Sequence, residues 1–249
     1  MKLFLLFLFC CTTTSSFTQM RWYVAAKNGI SIREKPDVKS AVVGNILYGT
    51  DIAISYPDST ISISTEGLRG RWVQTTYGGK TGYIINSYLL PEPAPKAATK
   101  TMKEYLAQLS ATAGPVLLVK RGSMNNVEEG GTETKKQLYR NGAEYHSVAG
   151  YEWNNDTYFL PGFTVEQGFI LLRLLPEFKT VFRYNDVFPV KNGIVKKGEI
   201  EYDIKIDSET IGRERWVKKI AIEFADGAVY TFEMFTLGNQ LVISFGGGV

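Results

Sequence analysis

The chain has 249 residues, 44% of them hydrophobic, enough apolar material for one or two buried cores. Its 28 Lys and Arg against 25 Asp and Glu leave it near neutrality. It lacks the dense basic stripe that phosphate-backbone binding requires, so no nucleic-acid partner is expected.

The N-terminus reads as a secretory signal. Lys2 supplies the positive start, Leu3 to Phe9 an apolar core too short to span a bilayer, and Thr12 to Thr18 a small polar exit. Ser16 and Thr18 place small side chains at −3 and −1, so cleavage is expected after Thr18 and the protein is expected to be exported, periplasmic or extracellular. Both cysteines, Cys10 and Cys11, fall inside this segment. An alternative is a lipoprotein anchored through one of them, since Leu8 stands three residues before Cys11. With cleavage after Thr18 the mature chain has no thiol, and therefore no disulfide, thiolate nucleophile or cysteine metal ligand. No later stretch is long and apolar enough for an integral membrane helix.

Residues 19–91 read as an all-β module of five to seven short strands. "YVAAKNGISIREKP" holds two β-rich segments around Asn28-Gly29, a dipeptide that predicts a hairpin. "SAVVGNILYGTDIAIS" alternates, with Ile52 and Ile54 on one face and Asp51, Ala53 and Ser55 on the other. "RGRWVQTTY", a turn at Gly78-Gly79 and "KTGYIINSYLL" complete it. The ordered positions Ile32, Arg33, Pro36, Val43, Gly44, Gly49, Thr50, Trp72, Gly82, Tyr83, Ile84, Ser87, Tyr88 and Leu89 resemble the bacterial SH3-like (SH3b) domain. Two features depart from that pattern. Tyr83 stands where Trp is commoner, and "YPDSTISISTEGLRGR" lengthens the loop before Trp72, either for partner contacts or as an extended hairpin.

The resemblance implies a small β-barrel that binds rather than catalyses, its partners being peptidoglycan stem peptides or an envelope protein. An aromatic-lined groove with an arginine to meet a carboxylate is the physical means. Arg33, Trp72 and Tyr88 are the groove candidates. Trp72, Tyr83 and Tyr88 are equally the residues a 70-residue barrel uses to fill its core, and the core reading leads for each.

"PEPAPKAATK" alternates Pro with small residues and predicts an extended linker over 92–100. Thr101 and Glu104 then have capping-box spacing, with Met102, Tyr105, Leu106 and Leu109 on one face of a helix that Gly114-Pro115 ends. Residues 101–249 form a second domain, α+β, with one or two helices against a curved antiparallel sheet. "LYRNGAEYHS" predicts a hairpin on Asn141-Gly142. "TVEQGFILLRLLPEF" reads as a buried helix capped by Thr164 and Gln167 and stopped by Pro176, although a central strand also fits. From "EIEYDIKID" to the C-terminus the pattern predicts a four-stranded meander with a turn at Asp226-Gly227. The fold class is therefore mainly β, in two domains.

The chemistry found is sparse. A cysteine peptidase needs Cys and His, and a zinc amidase two or three His; His146 is the only histidine and reads as structural or solvated. No phosphate loop, nucleophile elbow or dinucleotide fingerprint occurs, and no cofactor or metal is expected. Glu199, Glu201 and Asp203 share a strand face about 7 Å apart. That spacing suits a glycosidase pair, but alternation with Lys205 reads better as a solvated face. "YEWNNDTYFLPGF" mixes aromatics with amides and gives Trp153 and Asn155 as further binding candidates, although Asn154-Asn155-Asp156 reads first as a turn. The expected function is non-catalytic binding of cell-wall peptide, glycan or a protein partner. The alternative is a carboxylate-dependent wall hydrolase with the first module as its targeting arm.

Overall fold

The computed structural model describes residues 21–57, 61–212 and 214–249. The expected signal segment, residues 1–18, lies outside them. Among the described residues no helix is long and apolar enough to cross a membrane.

The first module contains β1 (Arg21–Val24), β2 (Ile30–Arg33), β3 (Val42–Ile46), β4 (Asp51–Ala53), β5 (Ser62–Thr65), β6 (Leu68–Tyr77), β7 (Lys80–Ile85) and β8 (Leu89–Leu90). They form two sheets, β3-β2-β7-β6-β5 and β4-β1-β8, all neighbours antiparallel. Between the sheets lie Val24, Ile30, Ile32, Ile46, Ile52, Val73, Ile84 and Leu89. These are the alternate positions of short strands, as expected for a barrel small enough to fill with side chains.

Two turns behave differently. Gly78 and Gly79, at φ 58° and 75°, join Tyr77 to its partner Lys80 in the two-residue hairpin expected. Asn28-Gly29 does not make a hairpin. β1 pairs with β4 and β8, whereas β2 pairs with β3 and β7, so this turn carries the chain from one sheet to the other. Gly29 is still required, at φ 78° and with any added Cβ only 2.5 Å from the Ile46 carbonyl oxygen. The dipeptide specifies a turn; what its flanking strands pair with is decided by closure of the barrel.

The lengthened loop before Trp72 folds into the β5–β6 hairpin, with Glu66 and Gly67 both left-handed at its tip. That tip lies against the second domain: the Phe188 N–H donates to the Glu66 carbonyl at 2.9 Å. The stretch from Pro91 to Lys100 is fastened too. Ala94 and Thr99 are buried, and Gln108 donates to the Ala94 carbonyl while accepting from Lys96 N–H and Thr99 Oγ1.

Two helices follow, α1 (Met102–Leu109) and α2 (Val165–Leu174), each started by a complete capping box, Thr101/Glu104 and Thr164/Gln167. The helix reading of the second segment holds. Gly168 lets α2 sit close on the sheet, since a Cβ there would lie 2.4 Å from Leu241 Cδ2 and 2.6 Å from Met234 Sδ.

The sheet under α2 comprises β9 (Leu117–Arg121), β10 (Thr132–Leu138), β11 (Glu144–Gly150), β12 (Trp153–Pro161), β13 (Gly193–Lys197), β14 (Ile200–Ile211), β15 (Glu214–Ala225), β16 (Val229–Leu237) and β17 (Gln240–Gly248). Their order is β13-β14-β15-β16-β17-β12-β11-β10-β9, antiparallel throughout. The expected C-terminal meander is β14 to β17, and the Asn141-Gly142 and Asp226-Gly227 turns stand where expected.

Asn154-Asn155-Asp156 is not a turn. These residues lie inside β12, a central strand bonded on both sides, and the chain reverses instead at Tyr151-Glu152, where Glu152 takes φ 58°. Two of them are engaged by neighbouring strands: Asn155 donates to Ser244 Oγ at 2.9 Å, and Asp156 accepts from Tyr145 Oη at 2.9 Å. The main core runs from Phe169, Phe178, Phe232 and Ile243 through to Ala25, Leu68, Leu90 and Ala94, so the first module shares it.

Candidate functional site

Where the first module meets α2 there is an open cleft of about 290 Å³. One wall is the barrel: Arg33 ends β2, Trp72 lies in β6, and Tyr88 closes the 3-10 turn Asn86–Tyr88. The facing wall is Ile170, Arg173 and Leu174 of α2, with Tyr184 beside them. The three groove candidates thus line a single cavity.

Each is placed for a local reason. Gly82 lets β7 pass close to β2, for a Cβ there would lie 2.5 Å from the Arg33 carbonyl oxygen and 2.6 Å from Ile32 Cγ2. Arg33 then donates from Nη1 to the Ser40 carbonyl at 2.7 Å, which orients the guanidinium and leaves its other donors. Trp72 is 3% exposed, so it serves the core and forms a wall of the cleft with its remaining surface. Tyr88 is half-buried. Burial first, and then the charge of Glu66, push its hydroxyl up to about 12, so the phenol stays a donor at neutral pH.

Arg173 and Glu66 were not singled out by the sequence reading. Arg173 is the one charged side chain in "GFILLRLL" and is 5% exposed. Its Nη1 donates to Glu66 Oε2 at 3.0 Å and to the Asp186 carbonyl at 2.8 Å, and its guanidinium lies over the Phe169 ring at 4.7 Å. A cation inside an apolar helical run was the available signal, because burial of a charge requires a partner. The cleft therefore carries two guanidinium groups, one carboxylate and an aromatic floor. It suits a small chain bearing a free carboxylate, which Arg33 can meet with two parallel hydrogen bonds.

Trp153 and Asn155 do not line this cleft. Trp153 begins β12, 42% exposed, and Asn155 is engaged with Ser244 and Thr157 on the same sheet. His146 Nε2 lies 2.8 Å from Glu144 Oε2, with the ring tilted against Phe159. Glu201 and Asp203 point outward from β14, and Asp203 pairs with Lys205 at 3.2 Å. Among the described residues there is no cluster of three or more His, Cys, Asp or Glu placed to hold a metal.

A family model described as a bacterial SH3 domain matches residues 28–89, the stretch that supplies Arg33, Trp72 and Tyr88. No curated protein and no solved structure matches the chain.

Proposed function

We propose that the protein is an exported, non-catalytic binding protein of the bacterial envelope. Its cleft takes peptides with a free carboxylate, such as peptidoglycan stem peptides, or the like-ended segment of an envelope protein. The observation that carries this is the convergence of Arg33, Trp72 and Tyr88 on one cavity within the bacterial SH3 domain, a domain type commonly involved in cell-wall binding. A carboxylate ligand makes charge-assisted bonds to Arg33, while the aromatic wall removes its apolar stem from water.

Binding rather than turnover in this cleft is supported by the groups that line it. The one carboxylate among the cleft-lining residues, Glu66, is already held by Arg173. Hydrolysis of a wall polymer by carboxylates needs two, one protonated and one ionised.

Sedimentation with purified peptidoglycan tests the reading. The wild-type chain is expected to co-sediment, and the folded Arg33→Ala protein to remain largely in the supernatant. Wild-type protein left in the supernatant, or release of soluble wall fragments during incubation, would contradict it. Mass spectrometry of the mature N-terminus tests export: a first residue of Gln19 is expected, and a diacylated Cys10 or Cys11 would place the protein on a membrane instead.

A further inference from the structure

We propose that a second cleft, at the N-terminal end of α2, binds a neutral oligosaccharide. This cavity is larger, about 530 Å³, and again lies between the first module and the second domain. Its walls include Trp22 of β1 and Trp216 of β15, with Arg69 and Arg71 of β6 facing Glu166 of α2 and Glu214 of β15.

The polar groups are fixed in place. Arg69 donates twice to Glu166 Oε1, at 2.7 and 3.1 Å, and its guanidinium lies 3.5 Å from the centroid of the Trp216 ring. Glu214 is reached by Arg69 at 3.8 Å, by Arg71 at 3.7 Å and by the Ser62 hydroxyl at 2.9 Å. The Arg69–Glu166 pair is closed and holds the two parts together, whereas the Arg71 side chain is 44% exposed and that of Glu214 34%, at the border of an open cavity. Held rotamers with free hydrogen-bonding capacity lose little entropy when a ligand arrives.

The charges decide the ligand class. An anion would be drawn to Arg69 and Arg71 but opposed by Glu166 and Glu214, and an ammonium the reverse. A sugar hydroxyl both donates and accepts, so one diol can satisfy a carboxylate and a guanidinium together. Arg69 covers one face of the Trp216 ring, which is still 36% exposed, and the flat C–H face of a pyranose supplies apolar surface for the indole area left open. The cavity has room for a short oligosaccharide. Binding here is independent of what the first cleft takes.

Titration of the full chain with chitotetraose, cellotetraose and maltotetraose, followed by tryptophan fluorescence and calorimetry, tests the assignment. Saturable binding of at least one is expected, unchanged between low and high salt, and weakened at least tenfold by Trp216→Ala. Glu214→Gln keeps the side-chain shape, so a similar loss there excludes a folding defect as the cause. No saturable binding of any of the three would overturn the proposal. So would binding that survives both substitutions, or binding confined to acidic sugars that weakens with salt.

Discussion

Replacing Glu66 with alanine should destabilise this protein more than loss of a half-exposed carboxylate ordinarily does. An exposed ion pair contributes about 0–1 kcal/mol. The Glu66 side chain is 48% exposed, but that of its partner Arg173 is only 5% exposed; Arg173 Nε is buried without an acceptor, so the Nη1 bonds to Glu66 and to the Asp186 carbonyl are what satisfy the cation. Stripping a buried charge of its partner costs about 3–5 kcal/mol. The exposure of Glu66 and the remaining bond from Arg173 to the Asp186 carbonyl reduce this, giving an expected loss of about 1.5–3 kcal/mol. The left-handed backbone at Glu66 is common to both residues and cancels. Urea unfolding followed by tryptophan fluorescence and far-ultraviolet circular dichroism measures it, and coincident transitions are expected because the two parts share one core. Glu66→Ala combined with Arg173→Met should recover at least half of the loss, since no unpaired charge is then buried. A single-mutant change below about 0.5 kcal/mol, or a double mutant less stable than the single, would refute the reasoning.

Gly67→Ala should cost about 1–3 kcal/mol, because Gly67 has φ 77° and an added Cβ would lie 2.5 Å from the Phe188 carbonyl oxygen. A thermal midpoint equal to wild type would mean that the hairpin tip does not dock against Phe188. For pH, Tyr48 is pushed up to about 12 by burial and then by Tyr184, and Tyr88 likewise by burial and then by Glu66. The folded state holds these phenolic protons more tightly than the unfolded chain does. Their contribution to stability is therefore complete below pH 10 and is lost as pH rises towards about 12. Urea midpoints should fall across that window, less steeply in the Tyr48→Phe/Tyr88→Phe protein, and equal slopes would contradict the assignment.

Local signals in the sequence were reliable where the structure they govern is local. Thr101/Glu104 and Thr164/Gln167 satisfy backbone donors only three residues away, so both helix starts could be read directly. Alternation on β14 marked its buried face, Tyr202 and Ile204, because one side of the strand meets the core and the other meets water. Asn154-Asn155-Asp156 misled because turn chemistry is a local preference that strand pairing across the sheet overrides, whereas Asn28-Gly29 does turn the chain but does not specify which strands its flanks pair with. Of the cleft, the barrel wall with Arg33, Trp72 and Tyr88 was legible through the bacterial SH3 pattern. The α2 wall was not, because nothing in "GFILLRLL" says which neighbour its arginine meets. The lengthened loop before Trp72 was visible as an insertion, but its use as a docking hairpin depends on Phe188, more than a hundred residues later.

The central claim is that the cleft between the barrel and α2 binds a carboxylate-bearing peptide through Arg33. Calorimetric titration of the full chain with a soluble stem peptide, beside the same peptide amidated at its C-terminus, tests it most directly. The account predicts saturable binding of the free acid, weakened at least tenfold, or about 1.4 kcal/mol, both by amidation and by Arg33→Ala. Tyr88→Phe should weaken it less, since only a hydroxyl is lost. Equal affinity for acid and amide, with Arg33→Ala folded and unchanged, would contradict it.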